Sequence, residues 1–391
     1  MRKVYMDHAA GMSVDPRVFE SMKPYFTENY GNPSSSHSFG ANARNVLMES
    51  REKVARLIGA EKPEEVIFTS GGTDSNNLAI KGVAYRNKEK GNHIITTTIE
   101  HMSVLNICKY LQKQGFEITY MPVDKQGMVD PEKLKDEITD KTVLISVMYA
   151  NSEIGTIQPI REIGKIAREN QIYFHVDAVA AAGKVPINVK EENIDLMSIS
   201  SNDMYGPKGM GALYIKSGVK IQPIIQGGGQ EGGLRSGTEN IPGIVGMSKA
   251  AELAREEMAD EGRRLSKLRD KLINGVRDTI ERSYLNGHPT KRLPNNANLR
   301  FSYIEGESLI LDLDMLGVQV SSGSACTSKT LEPSHVLLAI GLAHEEAHGS
   351  LVFTMGRQNS EEDVDYVLEV LPGVVKRLRE MSPLTPKEML K

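Results

Sequence analysis

The sequence predicts an α/β protein in which a mostly parallel sheet carries helices on both faces and is followed by a smaller α+β unit. Three observations lead there. Short apolar, β-rich runs alternate with helical patterns from about residue 61 to 215, as strand–helix–strand crossovers do. After "QGGGQEGGLRSGTENIPG" the character changes to a long charged helix, "AAELAREEMADEGRRLSKLRDKLINGVRDTIE", suited to linking two units. At 391 residues the chain is also too long for a single small core.

Strands are expected at "EVIFTS", "HIITTT", "FEITYMPV", "TVLISVMYA", "IYFHVDA", "IDLMSIS" and "GALYI", each an apolar or β-branched run bounded by turn residues. The last two flank "SNDMYGPKGM", a polar turn and Gly-Pro hairpin. Helices are expected to open at Thr73 or Asp74, at Met102 and at Ile160. In the second of these, Val104, Ile107, Cys108 and Leu111 recur at helical spacing, so Cys108 reads as buried packing. Further on, strands are expected near "ANLRFSY" and "LVFTM", then a closing helix from Ser360 and a loose tail, "SPLTPKEMLK".

Composition narrows the function. Lys and Arg total 47 against 51 for Asp and Glu, a net charge of -4, so no basic field exists to gather nucleic acid or an anionic membrane. The apolar stretches fall short of the roughly 20 residues that cross a bilayer, and the start lacks the apolar core of a signal peptide. A cytoplasmic protein is expected. The two cysteines, Cys108 and Cys326, exclude a disulfide framework and a four-cysteine metal site within one chain. Cys326, in the polar "SSGSACTSKT", is the expected reactive thiol.

Sheets of this class take ligands beyond the carboxyl ends of their strands. In "FTSGGTDSNN" the N–H groups at a helix start, with the hydroxyls of Ser70 and Thr73, suit a phosphate monoester, although a capped helix start would look the same. Asp177 ends the strand "IYFHVDA", where a carboxylate can keep a pyridinium nitrogen protonated or cap a helix. His101, at another strand-to-helix junction, can stack on a flat ring and move protons, or serve structure alone. Asn151 follows "TVLISVMYA" and can bond a phenolic oxygen or close an Asx-turn. Together the four strand ends outline a site for a phosphorylated aromatic aldehyde.

These motifs, with "GNPSSSHSFG", "EIG", "YGPKGMGALY", "LRSGT", "EGESLI" and above all "SSGSACTS", resemble the fold-type I pyridoxal-phosphate superfamily. The resemblance is to its class-V aminotransferase branch, and within it to the cysteine desulfurases of the IscS/NifS type, which supply sulfur for iron–sulfur cluster assembly. It implies a large domain, residues 14–258, with a seven-stranded-type sheet that binds pyridoxal 5'-phosphate. Residues 1–13 and 259–391 would form a small domain carrying the Cys326 loop. By resemblance, Gly72, Thr73 and Ser200 hold the phosphate. Thr238 reaches it from the other subunit of a homodimer. His101 stacks on the ring, Asp177 pairs with its nitrogen, and Asn151 lies near the ring oxygen or substrate. Cys326 would take sulfur from L-cysteine, leaving L-alanine and a persulfide that a scaffold protein collects.

The pattern breaks at Asn202-Asp203 and at two further positions around the same site, Ala180 and Val352. Asn202-Asp203 stands where the family has a histidine for the phosphate and the lysine that links to the cofactor, and a carboxylate cannot condense with an aldehyde. Ala180 replaces a glutamine beside the cofactor, and Val352 replaces the arginine that clamps the substrate carboxylate, a contact of roughly 1.5 to 3 kcal/mol. The expectation is a dimer of this family that holds pyridoxal phosphate non-covalently and turns over cysteine weakly or not at all. Cys326 would then act as a sulfur relay, or as a ligand to a 2Fe-2S cluster shared with the scaffold partner. Two alternatives stand beside it: an active desulfurase using another amine such as Lys208, and a non-catalytic scaffold-binding protein.

Overall fold

The computed structural model describes residues 2–323 and 333–390. Its centre is a seven-stranded sheet with spatial order Val66–Thr69, Gly211–Ile215, Leu196–Ser200, Tyr173–Asp177, Thr142–Met148, His93–Thr97, Glu117–Met121. Gly211–Ile215 runs antiparallel to both neighbours, and the remaining pairings are parallel. The seven strands are those the apolar runs predict. Thr142–Met148 is buried along its whole length, which is why "TVLISVM" shows no polar alternation. Phe174, in the next strand, is fully buried, and a side chain of that size contributes about 1.5–3 kcal/mol by leaving water.

Helices cover both faces. Gly72–Arg86 and Met102–Gln112 pack on one, with Cys108 fully buried among Leu78, Val104 and Leu111. Ser38–Ile58 and Ile160–Glu169 belong to the core on the other. A third apolar core gathers around a three-stranded antiparallel sheet, in the order Ser350–Thr354, Asn296–Phe301, Ser283–Asn286, backed by Glu361–Met381. The short strand Val4–Tyr5 joins this region by pairing with Val318–Gln319.

The linking helix spans Ile241–Thr279, 39 residues, and so begins ahead of its expected charged stretch. Asn240 caps it by accepting from Gly243 N at 3.2 Å, Pro242 occupies its first turn, and "IVGM" lies buried instead of solvated. Its first half packs in the core of the large sheet and its second half, from Leu265 to Val276, in that of the small one. The tail also departs from expectation: Thr385 is buried and Lys387–Leu390 forms a 3-10 turn. Among the described residues no helix is long and apolar enough to cross a membrane.

Candidate active site

The parallel strands deliver their carboxyl ends to one edge of the sheet, and the candidate residues lie there. Thr69 leads into Ser70, Gly71, Gly72 and Thr73 at the start of helix Gly72–Arg86. A Cβ on Gly72 would meet Val179 Cγ2 at 2.6 Å, so only glycine lets the helix start approach the loop after Asp177. Gly71, at φ 144°, faces open space. Ser70 differs from expectation: its N–H and hydroxyl both donate to Asp74 Oδ2, at 2.9 and 3.0 Å. Arg235 donates to the same oxygen at 3.2 Å, so the serine is drawn into an ion pair and away from the anion cradle. Thr73 stays exposed, as does Thr238 on the loop that follows Arg235.

Asp177 is buried at the end of its strand. Its Oδ2 accepts from Asn76 Nδ2 at 2.7 Å and its Oδ1 from Val179 N at 3.1 Å. Asn76 also donates to Ser103 Oγ at 2.9 Å, and Ser103 Oγ lies 2.7 Å from His101 Nδ1. Nδ1 further accepts from Ser103 N at 3.1 Å, which leaves the ring proton of a neutral His101 to Nε2. One amide thus ties the carboxylate to the imidazole. Asn76 and Ser103 escaped the sequence analysis; the available signal was an asparagine in a helix interior, where it is disfavoured unless it bonds elsewhere.

Asn151 is buried, with Oδ1 accepting from Glu153 N and Ile154 N at 2.9 Å each and Nδ2 donating to Ile99 O at 2.9 Å. Its oxygen is committed to the Asx-turn. Ser200 ends its strand buried, and its side chain and that of Asn202 act to lower the Asp203 pKa against the effect of burial. Asn202 Oδ1 is buried without a partner.

Asp203 sits in the short turn Asn202–Met204. Its carboxylate lies 3.7 Å from Lys184 Nζ, and the side chains of both are 12% exposed. Burial raises the Asp203 pKa, an effect opposed by Lys184 and reinforced by the charge of Asp177. Burial likewise lowers that of Lys184, whose amine also donates to Ala180 O at 3.0 Å. Lys184 too was missed, because nothing local marks a lysine whose partner arrives from another strand. Lys208 is exposed and donates to Met12 O at 3.0 Å.

Beside His101 opens a cleft of about 160 Å³ lined by Glu100, His101, Asn151, Glu153, His335 and Val352, among others. Val352 is buried and locked by bonds in both directions to the Ser321 backbone. Burial pushes Glu100 up to about 8 and Glu153 up to about 7. Cys326 lies outside the described residues. Among the described residues no group of three or more His, Cys, Asp or Glu is placed to hold a metal ion.

The donor set fits a phosphorylated pyridine aldehyde held by contacts. It offers a positioned carboxylate for a ring nitrogen, a glycine helix start with open space beside it, and an imidazole linked to that carboxylate through Ser103 and Asn76, but at position 203 an acid instead of an amine.

Residues 4–367 match the family described as Aminotransferase class-V. The chain is 58% identical over 380 residues to "Cysteine desulfurase IscS 1" of Archaeoglobus fulgidus, covering 97% of this chain and 99% of that one. It is 58% identical over 387 residues to "Cysteine desulfurase IscS" of Methanosarcina thermophila, covering 99% and 95%. Among solved structures, "NIFS-LIKE PROTEIN" superposes with a TM-score of 0.90 at 39% identity, covering 96% of this chain and 100% of the other. "SspA in complex with cysteine" does so with 0.81 at 36% identity, covering 90% and 99%.

Proposed function

Because the chain belongs to the class-V aminotransferase family and, within it, to the cysteine desulfurases, we propose that it serves iron–sulfur cluster assembly as a member with a degenerate amino-acid site. It holds pyridoxal phosphate without a covalent link and converts L-cysteine to L-alanine weakly or not at all. The observation that carries this is Asp203, an acid at the position of the linking lysine, buried against Lys184.

When bound, pyridoxal phosphate supplies an electron sink for bonds at the carbon bearing the substrate's amine. Asp177, held by Asn76, would keep the ring nitrogen protonated. Gly72 and Thr73 would receive the phosphate, with Ser200 and Asn202 near it and Thr238 contributed by a second subunit. His101 would lie against the ring, and Asn151 would close its side of the pocket. Val352 offers no charge to a substrate carboxylate, which weakens L-cysteine binding about ten- to a hundredfold.

The rest of the reading follows the family. Residues 14–258 form the cofactor-binding unit, and residues 1–13 with 259–391 the unit that carries the Cys326 loop. Cys326 takes sulfane sulfur from a donor persulfide, its thiolate attacking the outer sulfur and releasing the donor's thiolate, and passes it to a scaffold protein, or it ligates a 2Fe-2S cluster shared with that scaffold. The protein acts as a homodimer in the cytoplasm. Support for the dimer comes from Phe26, Tyr30 and Phe39, which are 61%, 69% and 48% exposed on one chain, with the Tyr30 and Phe39 rings in mutual contact.

A second reading, an active desulfurase using another amine, is favoured by Lys184, a buried amine 3.7 Å from Asp203. Loading the chain with pyridoxal phosphate and treating it with borohydride before dialysis separates the two. The proposal expects the cofactor to dialyse away. A cofactor-modified lysine peptide found by mass spectrometry would overturn it and name the amine.

A further inference from the structure

The turn that carries Asn151 follows a strand of the large sheet but is fastened to the small one. Asn151, Ser152 and Glu153 line the cleft beside His101, as does Val352. Four successive carbonyls of this turn accept from donors in or just ahead of the strand Asn296–Phe301. Asn296 Nδ2 donates to Ser152 O at 2.9 Å and to Glu153 O at 3.1 Å, and Asn298 Nδ2 to Glu153 O at 3.1 Å. Arg292 Nη2 donates to Ile154 O at 3.2 Å, and Leu293 N to Gly155 O at 2.9 Å. The approach is close: at Gly155, φ 77°, a Cβ would meet Asn296 Oδ1 at 2.6 Å.

Both asparagine amides are oriented by a second bond. Asn296 Oδ1 accepts from Arg292 Nη2 at 3.1 Å and Asn298 Oδ1 from Asn286 Nδ2 at 2.9 Å, so each NH2 group is left to face the turn. Asn286 is set in its turn by Arg300, which donates to its Oδ1 at 2.8 Å. Asn286, Arg292, Asn296 and Asn298 are all buried, where water does not replace a lost partner. On the other side of the turn, the N–H groups of Glu153 and Ile154 go to Asn151 Oδ1. Asn298 is also the sheet partner of Val352, so one residue holds the turn and pairs with the valine.

We propose that Asn296 and Asn298 are positioning residues for the cleft. They act through the carbonyls of Ser152 and Glu153, seat the Asn151 turn against the sheet that carries Val352, and so fix the shape in which pyridoxal phosphate is received. The inference rests on the reading, given above, that the cofactor occupies this site.

The test uses the full chain and two measurements. Without cofactor, hydrogen exchange at the Glu153 and Ile154 amides, resolved by NMR, reports on the turn alone. With pyridoxal phosphate added, the absorbance of the bound cofactor gives its affinity. Asn296→Leu and Asn298→Leu, of like shape but without the donor, are each expected to exchange about tenfold faster at those amides and to bind the cofactor about tenfold more weakly. Asn286→Ala, which keeps Asn298 but frees its amide to rotate, is expected to shift both readings the same way to a smaller degree. Arg264→Leu is the control, since its bonds to Gly356 O and Asn359 O touch nothing in the turn; neither reading should move. A folded asparagine variant with unchanged exchange overturns the proposal. So does faster exchange with undiminished affinity, or an Arg264→Leu chain that reproduces both changes. If the leucine variants fail to fold, Asn286→Ala decides. If the wild-type chain binds no pyridoxal phosphate, the cofactor reading fails, and the exchange rates alone judge the two asparagines.

Discussion

The Asp203 carboxylate stands 3.7 Å from the Lys184 amine, and the two meet because the strand Tyr173–Asp177 lies beside Leu196–Ser200. A buried pair of this kind binds strongly only while both partners are present. Lys184→Met should lower stability by about 3 kcal/mol, by leaving the acid unpaired in a poorly solvated place. Adding Asp203→Leu should return most of that loss. Denaturant unfolding of the two single variants and the double variant gives the coupling; additive effects would show that the pair does not interact.

The buried acids and histidines set a pH profile. Glu100 and Glu153 are raised from an ordinary 4.5 to about 8 and about 7, so between pH 4.5 and those values the folded chain binds more protons than the unfolded one. Their contribution falls as pH rises, by roughly 1 kcal/mol per pH unit for each acid. His8 and His175 are lowered from 6.5 to about 4 and about 3, so their contribution is lost as pH falls below 6.5. The two trends oppose each other between pH 4.5 and 6.5. Melting temperature should therefore decline on both sides of that window, and Glu100→Gln should flatten the decline from 6.5 to 8. A variant curve parallel to wild type would refute the assignment to Glu100.

Asn76 bridges Asp177 and Ser103, at 2.7 and 2.9 Å. Asn76→Leu keeps the volume but strips a donor from each, so affinity for pyridoxal phosphate should fall about tenfold, read from the absorbance of the bound cofactor. The imidazole nitrogen shifts of His101 should change in the same variant, which simple loss of packing would not produce.

Much of the fold was legible because the strands are buried on both faces and read as unbroken apolar runs; "TVLISVM" and "LMSIS" are strands from end to end. Their ends, and hence Asp177 and His101, followed from that alone. What the side chains do there was less legible. Ser70 gives its hydroxyl to Asp74 and Asn151 its oxygen to a turn, outcomes of local competition among several acceptors. The bond from Asn76 to Asp177 and the pairing of Lys184 with Asp203 depend on which strands become neighbours, which periodicity does not encode. The early start of the helix at Ile241 was hidden because its first turns are apolar, while attention went to the charged stretch that follows.

The thiols should differ in reactivity. Cys108 is fully buried and its pKa is pushed up to about 12, so it holds almost no thiolate at neutral pH. Iodoacetamide on the native protein should modify Cys326 and spare Cys108 until denaturant is added. Mass spectrometry finding Cys108 alkylated in the folded chain would contradict the burial argument.

The most direct measurement is the alanine formed when the purified protein is incubated with L-cysteine and pyridoxal phosphate. Alanine at or near the background of the cofactor alone is the expected result, since position 203 offers no amine. Rapid formation, many turnovers per chain, would contradict the account.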